Sequence, residues 1–297
     1  MTTLTLPLPR RQGTAVSALL GGAVLWGLFW WPLKELNAAG IHGSFVQAVA
    51  YGLPALVLLP WAMRNPPRRA QIGLLLLIAL LGGWANASFA TSLTYGSVVR
   101  VLLLFYLAPV WTILAARLFL GEAFTRLRLI ALGLALAGLA FTLGGPEVFD
   151  SPLSAIDLLA LSSGLAFALN NVAVRAGHGL PDAARAVAVF AGCAAISLGF
   201  MGWSGETLPA LEAPYMLALA ALALFWVLPG TLATFYGVAR LDAGKAAILL
   251  LAELVVGVVS AVILGGEALT VPEAVGGALI LTAAVIEART ESTGYAA

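Results

Sequence analysis

Ten apolar stretches fill this chain almost end to end, near residues 14–34, 42–62, 71–93, 98–119, 126–144, 154–175, 183–204, 214–238, 243–264 and 272–288. A helix needs about 20 predominantly apolar residues to cross a bilayer. Ten such helices use roughly 200 of the 297 residues, so only short connectors remain. The breaks read NAAGIHG, RNPPRR, GEAFTR, GGPEVFDSP, RAGHGLPD, SGETLPALEAP, RLDAG and GGEALTVPE. Gly, Pro and charge mark them as turns. Only 10% of residues are charged, against about 25% in a soluble domain. That is too little polar sequence to cover a water-facing surface. The expected fold class is therefore an all-α integral membrane protein with ten transmembrane helices. The first apolar run follows Arg10 and Arg11 but is too long for a signal-peptide core and leads straight into further spans, so it reads as a retained helix. Cys193, alone in an apolar run, supports neither an internal disulfide nor a Cys-based metal site.

Positive charge sets the expected orientation. With the N-terminus in the cytoplasm, ten spans put Arg10, Arg11, Arg64, Arg68, Arg69, Arg117, Arg126, Arg128, Arg175, Arg185, Arg240, Lys245 and Arg289 on the cytoplasmic side. Of the 15 Lys and Arg, only Lys34 and Arg100 fall on the other. A missed or extra helix would scramble that split. Both termini are expected inside, with tails 1–13 and 289–297.

The chain also matches itself. LAPVWTILAARLFLGEAFT at 107–125 lies over AELVVGVVSAVILGGEALT at 252–270 without a gap, with six of nineteen positions identical, including the ending G-E-A-x-T. AVLWGLFWWPLK at 23–34 lies over GLAFALNNVAVR at 164–175, pairing Trp26 with Phe167 and Lys34 with Arg175. QAVAY at 47–51 resembles RAVAV at 185–189. The expected domains are two five-helix repeats, 14–144 and 154–288. Five is odd, so the second must enter the membrane from the opposite side, giving the inverted repeat of many secondary transporters. Gly-Glu closes each fourth helix. Glu122 and Glu267 are expected to accept hydrogen bonds from the first turn of the helix that follows.

An apolar helix, a Pro, a further apolar helix and Leu/Gly-Gly-Glu, given once per half, resembles the drug/metabolite transporter superfamily in its ten-helix EamA-type branch. Within that branch the sequence looks most like the bacterial aromatic amino acid exporter group, the YddG type. The family often has Glu-Pro where Glu253-Leu254 stands. Here the halves carry Ala108-Pro109 and Glu253-Leu254, one family residue each. The resemblance implies an exporter of amino acids or related small metabolites in the bacterial inner membrane.

Transporter sites lie near the midplane, often where helices are interrupted. The third helix of each half suggests such a place, at Gly82-Gly83 and at Pro229-Gly230. These residues read as hinges or, equally, as seams for close helix packing. Asn86 and Phe89 share a helix face beside the first, and Thr231 stands beside the second with Trp226 just before it. On the first helices Trp26 and Trp30 share a face, and their counterparts are Phe167 and Asn171, with Asn170 as a second amide. Trp26, Asn86, Phe89, Asn170 and Trp226 are expected to line one chamber between the halves. Buried amides must face protein or a wet cavity, whether they touch substrate or only one another. Trp30 and Trp31 also fit an interfacial aromatic belt. Glu253, ten residues into its helix, is either a proton-coupling acid or a structural one. Arg100 and Lys245 start the two fourth helices, where each either draws a substrate carboxylate or snorkels to headgroups. Lys34 and Arg117 share that ambiguity. His42 and His178 fall in loops and suggest no catalysis.

An integral-membrane enzyme would want clustered metal ligands or a nucleophile beside a base, and two loop histidines with one deep carboxylate supply neither. No GxxxxGK[ST] motif appears, so energy is expected from solute gradients or from none. No cofactor, metal or nucleic-acid partner is expected. The expected partners are a small-molecule substrate and the lipid bilayer, and the oligomeric state is open, a monomer included. Aromatics and amides with few charges favour zwitterions or apolar organics over phosphorylated sugars.

Overall fold

The computed structural model describes residues 9–294 except 109, 112–113, 116–117, 119–125, 143–152, 177–178, 210–211, 239 and 242, and describes no side chains at 9–12, 128, 175–176, 243–248 and 287–294. Glu122, Arg117, His178 and the side chains of Arg175 and Lys245 therefore lie outside the described residues. Among the described residues the structure is helical throughout. The first half comprises α1 (Pro9–Gly27), α2 (Trp30–Ala38), α3 (Gly43–Arg64), α4 (Ile72–Tyr95), α5 (Val98–Phe105) and α6 (Arg126–Thr142). The second comprises α7 (Ala155–Ala176), α8 (Asp182–Trp203), α9 (Ala213–Ala221), a π-helical turn (Leu222–Val227), α10 (Leu228–Val238), α11 (Ala243–Ile263) and α12 (Val271–Gly294). Six helical stretches are long and apolar enough to cross a membrane, and Leu129–Thr142, Leu249–Ile263 and Val271–Ile286 are shorter apolar helices. Each of the ten apolar runs in the sequence falls mainly on helix among the described residues.

Three spans are interrupted, two by a turn and one by a π-helical turn inside a continuous helix. Pro lacks the N–H that would bond the carbonyl four residues earlier. Pro32 thus leaves the Leu28 carbonyl, which the Trp31 N–H takes instead at 3.1 Å, and α1 parts from α2 at Leu28-Phe29. The chain turns again at Tyr106-Leu107, after α5, ahead of Pro109, which lies outside the described residues. Pro229 leaves Phe225, inside the π turn. By contrast α4 runs unbroken through Gly82-Gly83, so no interruption falls where one was expected in the first half. Those glycines serve a helix crossing. A methyl on Gly83 would stand 2.5 Å from the Gly192 backbone of α8. Gly138 and Gly276 make the same kind of contact between α6 and α12. Small residues are how helices approach closely when no water is available to drive them together.

Helix ends fix the relative direction of the halves. Lys34, near the end of α2, bonds Glu267 in the connector after α11. Glu267 also meets the start of α5, and Arg100 of α5 meets Asp157 at the start of α7. One face therefore collects the end of the first half's first span and the beginning of the second half's first span. The halves are inverted. Their packing is reciprocal: α3 lies on α8 and α6 on α12, while α4 lies on α7 as α10 does on α1, and α11 lies on α1 as α5 does on α7. Exchanged pairing of this kind is the mark of two-fold related units. Large apolar side chains cover the outside, among them Trp203, Phe225, Leu118 and Leu217. That exterior suits lipid and not water.

Candidate substrate site between the halves

Polar groups gather at mid-depth. Tyr51, eight residues into α3, donates its hydroxyl to Asn86 Oδ1 of α4 at 3.2 Å. Asn86 Nδ2 donates to the Gly82 carbonyl at 2.8 Å. One turn before Tyr51 on α3, the Gln47 amide stands 3.1 Å from the Thr91 hydroxyl. Glu253 of α11 comes within hydrogen-bonding reach of the Tyr106 hydroxyl, which donates to the Leu250 carbonyl at 3.3 Å. The Tyr51 hydroxyl is also within electrostatic reach of the Glu253 carboxyl. Among the described residues Glu253 has no cationic partner. A carboxylate at this depth is costly unless it gains a proton, a cation or water.

Aromatic rings join these groups. Trp26 packs edge-on to Phe29 with centroids 5.3 Å apart, Phe29 meets Tyr51 at 6.3 Å, and Tyr51 meets Phe190 at 5.9 Å. A second group links Phe89 to Phe105 at 4.3 Å, and Phe105 to Tyr106 and Phe167. Both groups converge on the broken first and fourth spans of the first half.

The expected site residues divide by position. Trp26 lies against Gly230, and Trp226 donates its indole N–H to the Leu25 carbonyl at 2.7 Å, so both stand at the α1–α10 crossing. Pro229 is half-buried there, and Thr231 spends its hydroxyl on the Val227 carbonyl. Asn86 and Phe89 belong to the polar and aromatic groups just described. Asn170 packs beside Gly82, and its buried Oδ1 has no hydrogen-bond partner. Asn171 is half-buried on α7. Trp30 stands apart from the polar set, with its N–H given to Ser260 at 2.9 Å. Arg100 lies at the membrane face and is paired with Asp157 through two bonds of 2.7 and 3.0 Å.

Glu267 departs from expectation. Gly266, with φ 66°, turns the chain so that the carboxylate accepts from the Val98 and Val99 N–H groups at 2.9 and 3.1 Å and from the Ser97 hydroxyl at 2.9 Å. It caps α5 of the other half. The helix after it, α12, is capped by Thr270 and Glu273 bonding one another's backbone N–H. Burial pushes the Glu267 carboxyl up, but the two N–H donors, the Ser97 hydroxyl and Lys34 outweigh it and leave it below the usual carboxylate range.

The family model of the EamA-like transporter family matches residues 13–144 and again 154–287. The chain belongs to the EamA-like transporter family. It is a multi-pass membrane protein of the drug/metabolite transporter superfamily carrying two EamA repeats. No curated protein matches it in sequence. One solved crystal structure superposes with a TM-score of 0.59 at 19% identity over 92% of this chain and 96% of its own, a likeness of fold.

For this EamA protein, sequence reasoning passed over Tyr51, Tyr106 and Asp157. Tyr51 ends the repeated QAVAY stretch, where its counterpart is Val189. Tyr106 lies in the turn after α5, three residues before Pro109 in the sequence. Asp157 was readable as the fourth residue of Ser154-Ala155-Ile156-Asp157, a helix start in which Ser154 and Asp157 bond each other's backbone N–H at 3.0 Å.

Proposed function

We propose that this transporter exports amino acids with aromatic or other neutral side chains, and related small metabolites, across the bacterial inner membrane by alternating access, with both termini in the cytoplasm. The carrying observation is the mid-depth set between the inverted halves, in which Tyr51 holds Asn86 and Tyr106 meets Glu253. Hydroxyl and amide groups orient a solute's polar end, and Trp26, Phe29, Phe89 and Phe105 offer apolar area to its side chain. Glu253 supplies the one acid in that set and is the candidate for proton coupling. The amino acid assignment rests on the sequence's resemblance to the YddG type of exporter. Counterflow in liposomes with a panel of labelled amino acids, with and without a pH gradient, tests it. Uptake of aromatic amino acids above protein-free liposomes is expected.

One observation favours a second reading, a drug or metabolite exporter of the same superfamily. An acid that has no cationic partner among the described residues, set among aromatic rings, suits a protonated apolar amine. Counterflow with such amines and none with amino acids would replace the first reading by the second.

A further inference from the structure

The two ion pairs that join the halves, among the described residues, lie at the same face. Lys34 Nζ meets Glu267 at 3.2 Å and Arg100 meets Asp157 at 2.7 Å. These are the only two cations that the charge split assigns to that face. Charge placement in membrane proteins disfavours Lys and Arg there, so a local use must explain them. Each cation comes from the first half and each carboxylate from the second. The start of α5 is held from both sides: Glu267 takes its free N–H groups, and Asp157 takes its Arg100 in a two-bonded fork. Asp157 is itself fixed by Ser154, and only 5% of its surface is exposed. At the opposite face the described ion pair is Arg185–Asp182, one turn apart on α8, and it joins nothing across the halves.

We propose that Glu267 and Asp157 are positioning residues of the transport cycle: together they clamp the start of α5 and hold this face shut, and the face opens only when the clamp releases. The inference rests on the alternating-access reading. A solute passing this face needs α5 to part from α7 and from the connector after α11, and the carboxylate bonds are the polar contacts that cross those gaps, beside apolar packing such as Ile156 against Gly96. Neutralising either carboxylate therefore shifts the protein toward the state open on this side and away from the state open on the other.

The test uses the full chain with Cys193 replaced by Ala and a reporter cysteine at Val101, a buried α5 position beside the clamp. Membrane-impermeant thiol reagent is applied from the clamp side, and a second reporter at Thr234 on α10 is labelled from the opposite side. With Glu267→Gln or Asp157→Asn, labelling at Val101 should rise about tenfold and labelling at Thr234 should fall. A rise at both positions means general loosening and overturns the proposal, as does no change at either. A second measurement locks the two sides of the clamp together instead of releasing them, and its uncross-linked counterflow shows that the variant folds. Ser97→Cys with Glu267→Cys, bridged through two disulfides by a short bis-thiosulfonate reagent, should stop counterflow, and reductant, which cleaves those disulfides, should restore it. Transport at the uncross-linked rate would also overturn the clamp. Absent counterflow in the wild-type chain would instead count against the transport assignment.

Discussion

Trp30 donates its indole N–H to the Ser260 hydroxyl at 2.9 Å, across 230 residues of sequence and between the first span of one half and the fourth of the other. Both residues are buried, and Ser260 passes its own proton to the Gly257 carbonyl. Trp30→Phe keeps most of the ring and removes the donor. It should lower stability by about 1 kcal/mol and leave the KM of transport unchanged. Thermal unfolding in detergent beside counterflow measures both, and a large KM change would return Trp30 to the substrate site.

The α4–α8 crossing tolerates no side chain at Gly192, where an added methyl would collide with the Ala79 carbonyl. Gly192→Ala should cost about 1–3 kcal/mol by forcing the helices apart. Gly73 on α4 has nothing within 4 Å of the same added atom. Gly73→Ala should stay within about 0.5 kcal/mol of wild type. Comparing the monodisperse fraction of the two variants after mild heating would separate them, and equal losses would contradict the packing argument.

Glu253→Gln tests coupling at the midplane. If Glu253 carries the driving proton, the variant inserts normally, still exchanges substrate, and no longer responds to a pH gradient. Tyr106→Phe removes only the hydroxyl and should weaken KM by roughly fivefold, the worth of one hydrogen bond of about 1 kcal/mol, with gradient response intact. A gradient response in Glu253→Gln equal to wild type rules the coupling role out.

Glu267 gives a pH prediction with a definite sign. Its folded pKa lies below the ordinary value of about 4.3. Its contribution to stability is then complete above that ordinary value and is lost as pH falls through the lowered one. The Tm difference between wild type and Glu267→Gln in detergent should be constant from pH 8 to about pH 5 and shrink only below about pH 4. A difference that changes between pH 6 and pH 8 would place the titrating group elsewhere.

Orientation can be read by labelling single cysteines in intact cells. A cysteine at Asn65, after the end of α3, should react only from the cytoplasm, and one at Ser204, after the end of α8, only from outside. The reverse pattern would invert the assignment of the two faces without altering the fold.

The apolar runs were legible because a bilayer leaves the chain no other way to satisfy its backbone. The inversion was legible because five spans per half leave no choice. Two of the three breaks were harder to read. Gly82-Gly83 looks like an interruption in one dimension, yet it is the floor of a helix crossing whose other side lies at Gly192. Pro32 follows the break at Leu28-Phe29, whereas Pro54 and Pro60 sit inside α3 without ending it. Nothing in the local sequence separates a proline that breaks a helix from one that does not. Distance along the chain hid Asp157 from Arg100 and Glu267 from Val98. The polar types of the candidate site were visible, but Tyr51 and Tyr106 read as ordinary aromatic positions until α3, α4 and α11 brought them to Asn86 and Glu253.

The reciprocal packing of the halves bears on how the molecule is made. The most extensive helix pairings, α3 with α8, α6 with α12 and α4 with both α7 and α8, each need one partner from either half. When synthesis has passed Thr142, the first five spans are inserted but lack the surfaces they are shaped to meet. Their glycine seams and the hydroxyls and amides of α3 and α4 then face lipid or one another. Native assembly waits for the last span, α12, to close on α6, so contacts of very long sequence separation must form late. A ribosome that stops at the midpoint leaves a membrane-embedded orphan, a substrate for proteolysis rather than a smaller working unit, and two half-chains made separately should regain activity only when they meet in the same bilayer.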